Sequence, residues 1–356
     1  MYFDFPLRGV EQFEPKMFRW SASYPFLAVA GVQTRQGGSS GMVQVFTEEG
    51  EACEDASLQR VSHAAVLAWH PSLPLLVVAW ENGEMLSWNH NSKQVHDCKQ
   101  LHMAPLRFLE FSKTGSHLVS GDEDGQVGIW KLGTHGKLGL IQAFKMTLPL
   151  VSCVVHASDE SEMSELAREE FHSRAALGSV GSAAALLSTP LVFFIGCKDG
   201  EVFRCDQSGN FDQVVNVPGV LGTLLLDPDT LTFAGINTAL AMLQYRVSAA
   251  GELQDRREVK LPGRMLRAAT WAGPGVLVAA TGDNSLRVFD LGRDENYVLA
   301  SGDAFAPASP ITAISFDSQS SLLVACTENG QVLMWRAKPS SEAEGADRWA
   351  AQVLEW

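Results

Sequence analysis

Short apolar segments recur along the chain and are separated by polar gaps and two-residue turns. In the clearest copy the apolar segments are 66–69, 75–79 and 84–88, and Asn82-Gly83 stands between the last two. Short apolar runs bounded by turn residues are typical of β-strands. Asn-Gly favours a tight hairpin because both residues tolerate the positive φ that a two-residue turn requires. Each copy is therefore predicted to be an antiparallel meander.

Seven copies of this pattern can be aligned on the turn between the second and third segments. One interval between consecutive copies is 75 residues and the other five are 38–46 residues. A four-stranded propeller blade has a period of about 40–45 residues. The predicted turn positions are Gly41, Gly83, Gly125, Gly200, Thr238, Asn284 and Gly330. The residues five positions later are Phe46, Trp88, Trp130, Cys205, Leu243, Phe289 and Trp335.

Seven such copies predict an all-β fold, a seven-bladed β-propeller that spans residues 1–336. A single blade cannot cover its two apolar faces, whereas a ring of seven covers both and leaves no long exposed sheet edge. Residues 1–5 alternate apolar and polar side chains, as an edge strand does. We expect this segment to close the ring as the outer strand of the last blade.

The long interval predicts a helical insertion in blade four, at about residues 157–190. Its first turn is acidic, and Met163, Leu166 and Phe171 then fall at helical spacing on one face. Residues 178–188 are rich in Gly, Ala and Ser and predict a return loop. Two interpretations remain open. The helix packs on its own blade, which is the usual fate of an apolar stripe, or these three side chains bind another protein.

A polar linker at residues 338–345 follows the last copy. Residues 347–354 resemble the start of another strand that has no partner within the seven copies. We therefore expect residues 337–356 to be a linker and the beginning of a following region of a longer protein.

The charge argues against two classes of partner. The chain has 27 basic and 41 acidic residues, a formal net charge of −14, and acidic residues interrupt its densest basic run at 255–260. Such a chain repels nucleic acid and anionic lipid. No run of 18 apolar residues and no secretory signal pattern occurs. We expect no nucleic-acid partner and no direct membrane insertion.

No motif for catalysis, metal or cofactor binding is present. The nine histidines and six cysteines form no HExxH or CxxC pattern, and no phosphate-binding loop occurs. We expect no enzyme activity and no cofactor, and buried or partly buried thiols without disulfides. Trp88, Trp130 and Trp335 end core strands and are expected to pack inside. Trp80 precedes a hairpin turn and is a candidate surface contact.

The repeat as a whole resembles the WD40 family, although its signature is degenerate. No copy has the Gly-His pair, and the terminal Trp-Asp occurs only as Phe289-Asp290. The resemblance implies that the His/Ser/Asp hydrogen-bond network of such blades is mostly absent here.

A closer resemblance is to the family formed by the first propellers of the 140-kDa subunit of intraflagellar transport complex A. It implies a non-catalytic scaffold for retrograde ciliary transport, cilium assembly and import of ciliary membrane proteins. The implied partners are other complex A subunits and ciliary cargo adaptors, in the cilium, the basal body and the cytoplasm. Weak self-association also remains open for a transport assembly that polymerises. The segments that carry the resemblance are Trp20 with 24–30, 69–71, 80–84, 120–122, 287–290 with 295–299, and 347–350.

Two other functions remain open. One is a WD40 peptide reader or adaptor of an unrelated cytosolic complex, which docks a peptide in the channel or on a rim. Loops rich in Ser, Asp, Glu and Gly favour it less. The other is a hydrolase, which needs convergent carboxylates or a metal at the channel mouth.

Overall fold

Seven four-stranded antiparallel sheets make up the part of the chain that the computed structural model describes. That part comprises residues 13–35, 38–47, 51–156, 191–227, 229–248, 250–299, 309–317, 321–328, 332–338 and 349–353. The predicted all-β, seven-bladed propeller is confirmed.

The strands follow one another in chain order, four to a blade. Blade one contains β1 (Phe13–Trp20), β2 (Phe26–Arg35), β3 (Gly38–Thr47) and β4 (Ala52–Arg60). Blade two contains β5 (Ala64–Trp69), β6 (Leu75–Trp80), β7 (Met85–Asn89) and β8 (Gln94–Asp97). Blade three contains β9 (Leu106–Phe111), β10 (His117–Asp122), β11 (Gln126–Leu132) and β12 (Leu138–Lys145). Blade four contains β13 (Leu150–His156), β14 (Val192–Cys197), β15 (Glu201–Asp206) and β16 (Phe211–Asn216). Blade five contains β17 (Leu221–Asp227), β18 (Thr232–Asn237), β19 (Ala241–Val247) and β20 (Leu253–Lys260). Blade six contains β21 (Leu266–Trp271), β22 (Val276–Thr281), β23 (Leu286–Asp290) and β24 (Glu295–Val298). Blade seven contains β25 (Ile311–Asp317), β26 (Leu322–Thr327), β27 (Val332–Ala337) and β28 (Trp349–Val353).

The first strand of each blade is innermost, and neighbouring innermost strands contact one another around the ring. Strand β25 of the last blade contacts β1 of the first, so the ring is closed. The core lies between blades rather than within one sheet. The cluster of Phe18, Val29 and Phe46 with Leu322 and Val324, for example, joins blades one and seven.

Trp80 is fully buried, so its prediction as a surface contact is wrong. It ends β6, in which all six residues are buried because neighbouring blades cover both faces of a middle strand. Its side chain belongs to the cluster between blades one and two, together with Phe26 and Trp88. The position of Trp80 before a turn in the sequence did not reveal that neighbouring blades bury its side chain. The interior positions predicted for Trp88, Trp130 and Trp335 are confirmed.

The turns between the two middle strands have a positive φ at one residue. Gly83, Gly125 and Gly200 have φ of 83°, 88° and 98°, and Asn284 has φ of 56°. Each donates its N–H to the carbonyl oxygen three residues earlier. These four predicted turn positions are confirmed. Gly330 lies outside the described residues.

The turn of blade five is displaced by two residues from the prediction. Leu240, not Thr238, has the positive φ of 65° and donates its N–H to the carbonyl of Asn237. The side chain of Asn237 holds the turn at this position, because its Oδ1 accepts the N–H groups of Ala239 and Ala241 at 3.0 and 2.8 Å. Burial of Leu240 between blades five and six offsets the strain of its backbone.

The same displacement moves the aromatic position of blade five. Tyr245 pairs with Phe233 as Trp88 pairs with Leu76 in blade two, so the repeat position is Tyr245 rather than Leu243. In blade one, Gly41 is not at a turn. It lies inside β3 opposite Val32, because both strands of this hairpin are longer than in the other blades.

Blade seven takes its outer strand from the C-terminal end of the described chain. In β28, Trp349 pairs with Ala337 and Ala351 pairs with Trp335. The expectation that this segment has no partner is therefore wrong, and a propeller boundary at 336 would cut off a strand. The outer position that we expected residues 1–5 to fill is occupied by β28. Residues 1–5 and the insertion at 157–190 lie outside the described residues.

Trp349 also anchors β28 to the neighbouring blade. Its side chain is buried in the cluster between blades six and seven. Its Nε1 donates a hydrogen bond to Tyr297 Oη at 3.1 Å. Burial of this side chain against blade six explains why the segment pairs where it does.

Blade three contains a complete buried polar network. His102 Nδ1 donates to Asp122 Oδ2 at 2.9 Å, and His102 Nε2 accepts from Ser120 Oγ at 2.8 Å. Trp130 Nε1 donates to Ser120 Oγ at 2.8 Å. Asp122 Oδ1 accepts the N–H groups of Asp124 and Gln126 at the turn. The network therefore links His102, in the connection between blades two and three, to the middle hairpin of blade three.

The equivalent of Asp122 is different in the other blades. The position holds Trp80 in blade two, Cys197 in blade four, Asn237 in blade five and Thr281 in blade six. The prediction that the network is mostly absent therefore holds for these blades and fails for blade three. The sequence does not reveal this network, because the partners of His102 follow 18 to 20 residues later and meet it only in the fold.

Removal of Asp122 from the network should destabilise the propeller. In Asp122→Ala, His102 Nδ1 and two turn N–H groups lose their acceptor in a buried site, and we expect a loss of about 3 kcal/mol in the free energy of unfolding. Urea unfolding measures it. Asp124→Ala, an exposed carboxylate of the same turn, is the control and should change stability by less than about 0.5 kcal/mol. Equal effects of the two variants would contradict a stabilising role of the network.

Removal of the Trp349 side chain tests the outer strand of blade seven. Trp349→Ala leaves a cavity between blades six and seven, and we expect a loss of about 3 kcal/mol, measured by urea unfolding. Met103→Ala, at an exposed position, serves as the control and should be nearly neutral. Unchanged stability of Trp349→Ala would show that β28 does not contribute to the ring.

Candidate functional site

A central channel runs between the seven innermost strands and has a volume of about 610 Å³. Every blade contributes lining residues. The lining includes apolar residues such as Met17, Leu225, Trp271 and Ile314 and hydroxyl residues such as Thr223, and it exposes more polar than apolar surface. The channel follows directly from the ring, because the innermost strands are too far from the opposite blade to be covered by it.

Only three of the described lining residues are charged, namely Arg19, Arg107 and Glu110. Arg107 forms an ion pair with Glu123 at the rim. Arg19 is the penultimate residue of β1 and pairs with Ala28 of β2. Glu110 is the penultimate residue of β9 and pairs with Val119 of β10. The equivalent position of blade two, between them, holds only Ala68. Two opposite charges therefore lie at one level of the channel.

Glu110 is partly buried, and its carboxylate has no hydrogen-bond donor among the described residues. Burial raises the pKa of Glu110 to about 7, and the positive charge of Arg19 opposes part of this rise. The Arg19 side chain is exposed and forms no ion pair within 4 Å with a described residue. The channel thus holds a desolvated carboxyl group whose charge changes near neutral pH.

The described lining residues include few of the groups that a hydrolase needs. Glu110 is its one carboxylate, and a glycosidase-type site needs two. Burial raises the pKa of the Cys153 thiol well above its usual range, so the thiol stays protonated and weakly nucleophilic. The described residues also contain no group of three His, Cys, Asp or Glu that could hold a metal ion.

A second feature is a set of four exposed apolar residues on one rim of the propeller. Innermost strands begin at this rim, outer strands end there, and the middle hairpins turn there, so the blade connections and these hairpins share one side. Four of the blade connections place Val61, Met103, Val220 and Met265 at this side with exposed fractions of 92%, 83%, 47% and 46%. We call these four residues the linker rim.

Backbone hydrogen bonds hold the linker rim rigid. The N–H groups of Glu81 and Glu123, in the middle hairpins of blades two and three, bond to the carbonyls of His63 and Pro105 in the preceding connections. Thr238 bonds in the same way to Val220 at 2.8 Å, and Gly282 bonds to Met265 at 2.9 Å. The exposed side chains therefore stand on an ordered backbone.

The structure does not bring the predicted contact residues together. Met163, Leu166 and Phe171 lie outside the described residues, and Trp80 is buried. Sequence reasoning missed Glu110, although a charge inside an apolar strand was a usable signal. It also missed the linker rim, because single apolar residues in four separate connections show no pattern until the ring brings them to one side.

Three further observations concern the cysteines, the basic run of β20 and helices that could cross a membrane. All six cysteines are free, five are buried and Cys98 is half-buried, so the prediction of buried or partly buried thiols is confirmed. One basic residue of the run in β20 has an acidic partner, since Arg256 pairs with Glu258, whereas Asp255 of the same strand pairs with Arg246 of β19. Among the described residues, no helix has the length and apolar character that a membrane crossing needs.

Sequence comparison agrees with this architecture over the whole propeller. The family described as IFT140 first beta-propeller matches residues 1–354, which include all seven blades. The chain belongs to the IFT140 first beta-propeller family. The observed β28 lies within the matched range, consistent with its place in blade seven.

The chain also has local similarity to other proteins. It is 32% identical over 77 residues to polyadenylation factor subunit 2 of Gibberella zeae, which covers 21% of this chain and 13% of that protein. Identity to polyadenylation factor subunit 2 of Neurospora crassa is 31% over 77 residues, or 21% of this chain and 12% of that protein. The chain thus aligns with about an eighth of the length of these curated relatives.

The raised pKa of Glu110 predicts a pH dependence of stability. Its ordinary pKa is 4.5, so between 4.5 and 7 the folded state holds a proton that the unfolded state has lost. The unfolding free energy should therefore fall as pH rises through this window and level off above about 7. Relative to Glu110→Gln, the wild type should lose roughly 2 kcal/mol between pH 5 and pH 8, measured by urea unfolding.

Arg19→Gln provides the matched comparison. Arg19 lowers the pKa of Glu110, so its removal should widen the pH-dependent loss, measured against the double variant Arg19→Gln/Glu110→Gln. A wild type and a Glu110→Gln variant with parallel stability curves would contradict the desolvation of this carboxyl group.

Proposed function

We propose that this propeller is a non-catalytic protein-interaction scaffold of intraflagellar transport complex A. Its roles would be retrograde ciliary transport, cilium assembly and the import of ciliary membrane proteins. The observation that carries the proposal is the match to the IFT140 first beta-propeller family over residues 1–354.

The linker rim supports the proposal as a contact surface. Val61 and Met103 expose most of their apolar area to solvent, and covering such area contributes about 25 cal/mol per Å² to association. The backbone that carries Val61 and Met103 is already ordered, so the propeller would lose little conformational entropy when a partner binds there. We assign this surface to another subunit of complex A.

The other proposed partners are ciliary cargo adaptors, in the cilium, at the basal body and in the cytoplasm. Met163, Leu166 and Phe171 of the insertion are a second candidate contact, and weak self-association is a third proposal. Nucleic acid fits poorly, because the chain has a net charge of −14 and Arg256 in the basic run of β20 already pairs with Glu258.

The similarity to polyadenylation factor subunit 2 does not favour an adaptor role in a different complex. It covers 77 residues, fewer than two typical blades of about 40–45 residues. A likeness of that length reflects the repeat. The family match spans every blade and therefore supports the complex A assignment over the adaptor role.

Affinity purification of the chain from a lysate of ciliated cells, with quantitative mass spectrometry, tests the proposal. We expect complex A subunits among the recovered proteins. The double variant Val61→Asp/Met103→Asp should lower their recovery about tenfold or more, which corresponds to about 1.4 kcal/mol of binding free energy. Leu73→Asp, an exposed apolar position in a hairpin on the opposite rim, is the control and should bind as the parent does.

The variant Met163→Asp/Leu166→Asp/Phe171→Asp is analysed in parallel. A loss of recovery in this variant alone would move the contact from the linker rim to the insertion. Failure of the parent chain to recover any complex A subunit would contradict the proposed function.

A further inference from the structure

One level of the channel contains two charged residues of opposite sign, Arg19 and Glu110. Both residues line the channel near the ends of β1 and β9, away from the linker rim. Strands β1, β5 and β9 all begin at the linker rim, so this level is close to the opposite mouth. Ala68 of the intervening blade is too small to reach between the two charges.

We propose that the channel binds a basic side chain, arginine or lysine, of a protein segment that enters through the mouth opposite the linker rim, with Glu110 as the acceptor. The proposal concerns a site distinct from the linker rim and does not depend on membership of complex A.

The chemistry of the lining favours a cation over an anion. The Glu110 carboxylate is partly buried and lacks a described donor, and burial of an unpaired carboxylate is costly unless a partner supplies one. Arg107 already has Glu123 as its partner, so it does not offer its charge to an anion. The formal charge of −14 would also attract basic segments towards the protein.

The lining of the channel can accommodate both parts of such a side chain. It exposes more polar than apolar surface, and the apolar share, to which Met17, Leu225, Trp271 and Ile314 contribute, would cover methylene groups of arginine or lysine. The volume of about 610 Å³ is in the range of sites that enclose small ligands. One acceptor at one level suits a single positive charge rather than the several charges of a free polyamine.

Arg19 would act as an internal competitor for the same carboxylate. It is the one other charged lining residue without a described ion-pair partner, and its charge interacts with Glu110 across the channel. A bound cation must share the carboxylate with it or displace it. Removal of the Arg19 charge should therefore strengthen binding, whereas removal of the Glu110 charge should weaken it.

Calorimetric titration of the chain with short capped peptides tests the site. The probes are acetyl-Gly-Gly-Arg-Gly-Gly-amide, the same peptide with Lys, and the same peptide with citrulline, which keeps the shape of arginine without its charge. At pH 8 we expect the Arg or Lys peptide to bind at least tenfold more tightly than the citrulline peptide. Glu110→Gln should remove that difference, and Arg19→Gln should increase it.

The pH supplies a further readout. Affinity for the preferred cationic peptide should rise roughly tenfold between pH 6 and pH 8, as Glu110 loses its proton near pH 7. The remaining ionisable groups of the described lining are the guanidinium groups of Arg19 and Arg107 and the thiol of Cys153, whose pKa burial raises well above its usual range. The pH effect should vanish in Glu110→Gln.

Three results would overturn the proposal. They are the absence of binding at millimolar peptide, equal binding of the charged and citrulline peptides, and unchanged binding by a folded Glu110→Gln variant. Spermidine is titrated in a separate arm, and binding of spermidine without binding of the peptides would overturn the assignment to a protein side chain. Recovery of complex A subunits by Glu110→Gln, measured separately, keeps this outcome apart from that of the proposed function.

Discussion

The fold depends on the mutual burial of sheet faces between neighbouring blades. A four-stranded sheet with two apolar faces cannot bury either alone, so each blade is stable only with a neighbour on both sides. The condition is met by the seventh blade only when the ring is closed, and here the cluster of Phe18, Val29 and Phe46 with Leu322 and Val324 provides that closure. Covering of both faces also explains why the middle strands β6, β14, β22 and β26 are buried along their whole length.

Apolar packing carries most of this ring, and polar networks have a smaller share. Only blade three has the buried set of His102, Ser120, Asp122 and Trp130 among the described blades, whereas Trp80 and Cys197 fill the position of Asp122 in blades two and four. Close packing also offsets local backbone strain. Leu240 has a left-handed backbone conformation, and burial of its side chain between blades five and six compensates for that strain. The same packing leaves the connections between blades little freedom, which is why the linker rim is an ordered surface.

A rigid ring provides two separate places for interaction. The linker rim presents apolar side chains to solvent at one side, and the channel holds the Arg19–Glu110 level towards the other. Their physical characters differ. The rim would gain free energy from covering apolar area, while the channel has a desolvated carboxyl group that gains from an opposite charge. A scaffold with two such sites could engage two partners at once without any change of conformation.

The amino-acid sequence by itself determined the fold class, the number of blades and most hairpins, because apolar periodicity and turn chemistry are local properties. Gly83, Gly125, Gly200 and Asn284 could be placed from the residues alone. Only the tertiary structure decided contacts between segments that are distant in sequence. Asn237 holds the turn of blade five, Trp349 is buried where blade seven takes its outer strand, and neighbouring blades enclose Trp80. The candidate sites belong to the same class. Glu110 and Arg19 line one channel from blades three and one, and the four residues of the linker rim come from four connections, so no local pattern could reveal either until the ring had closed.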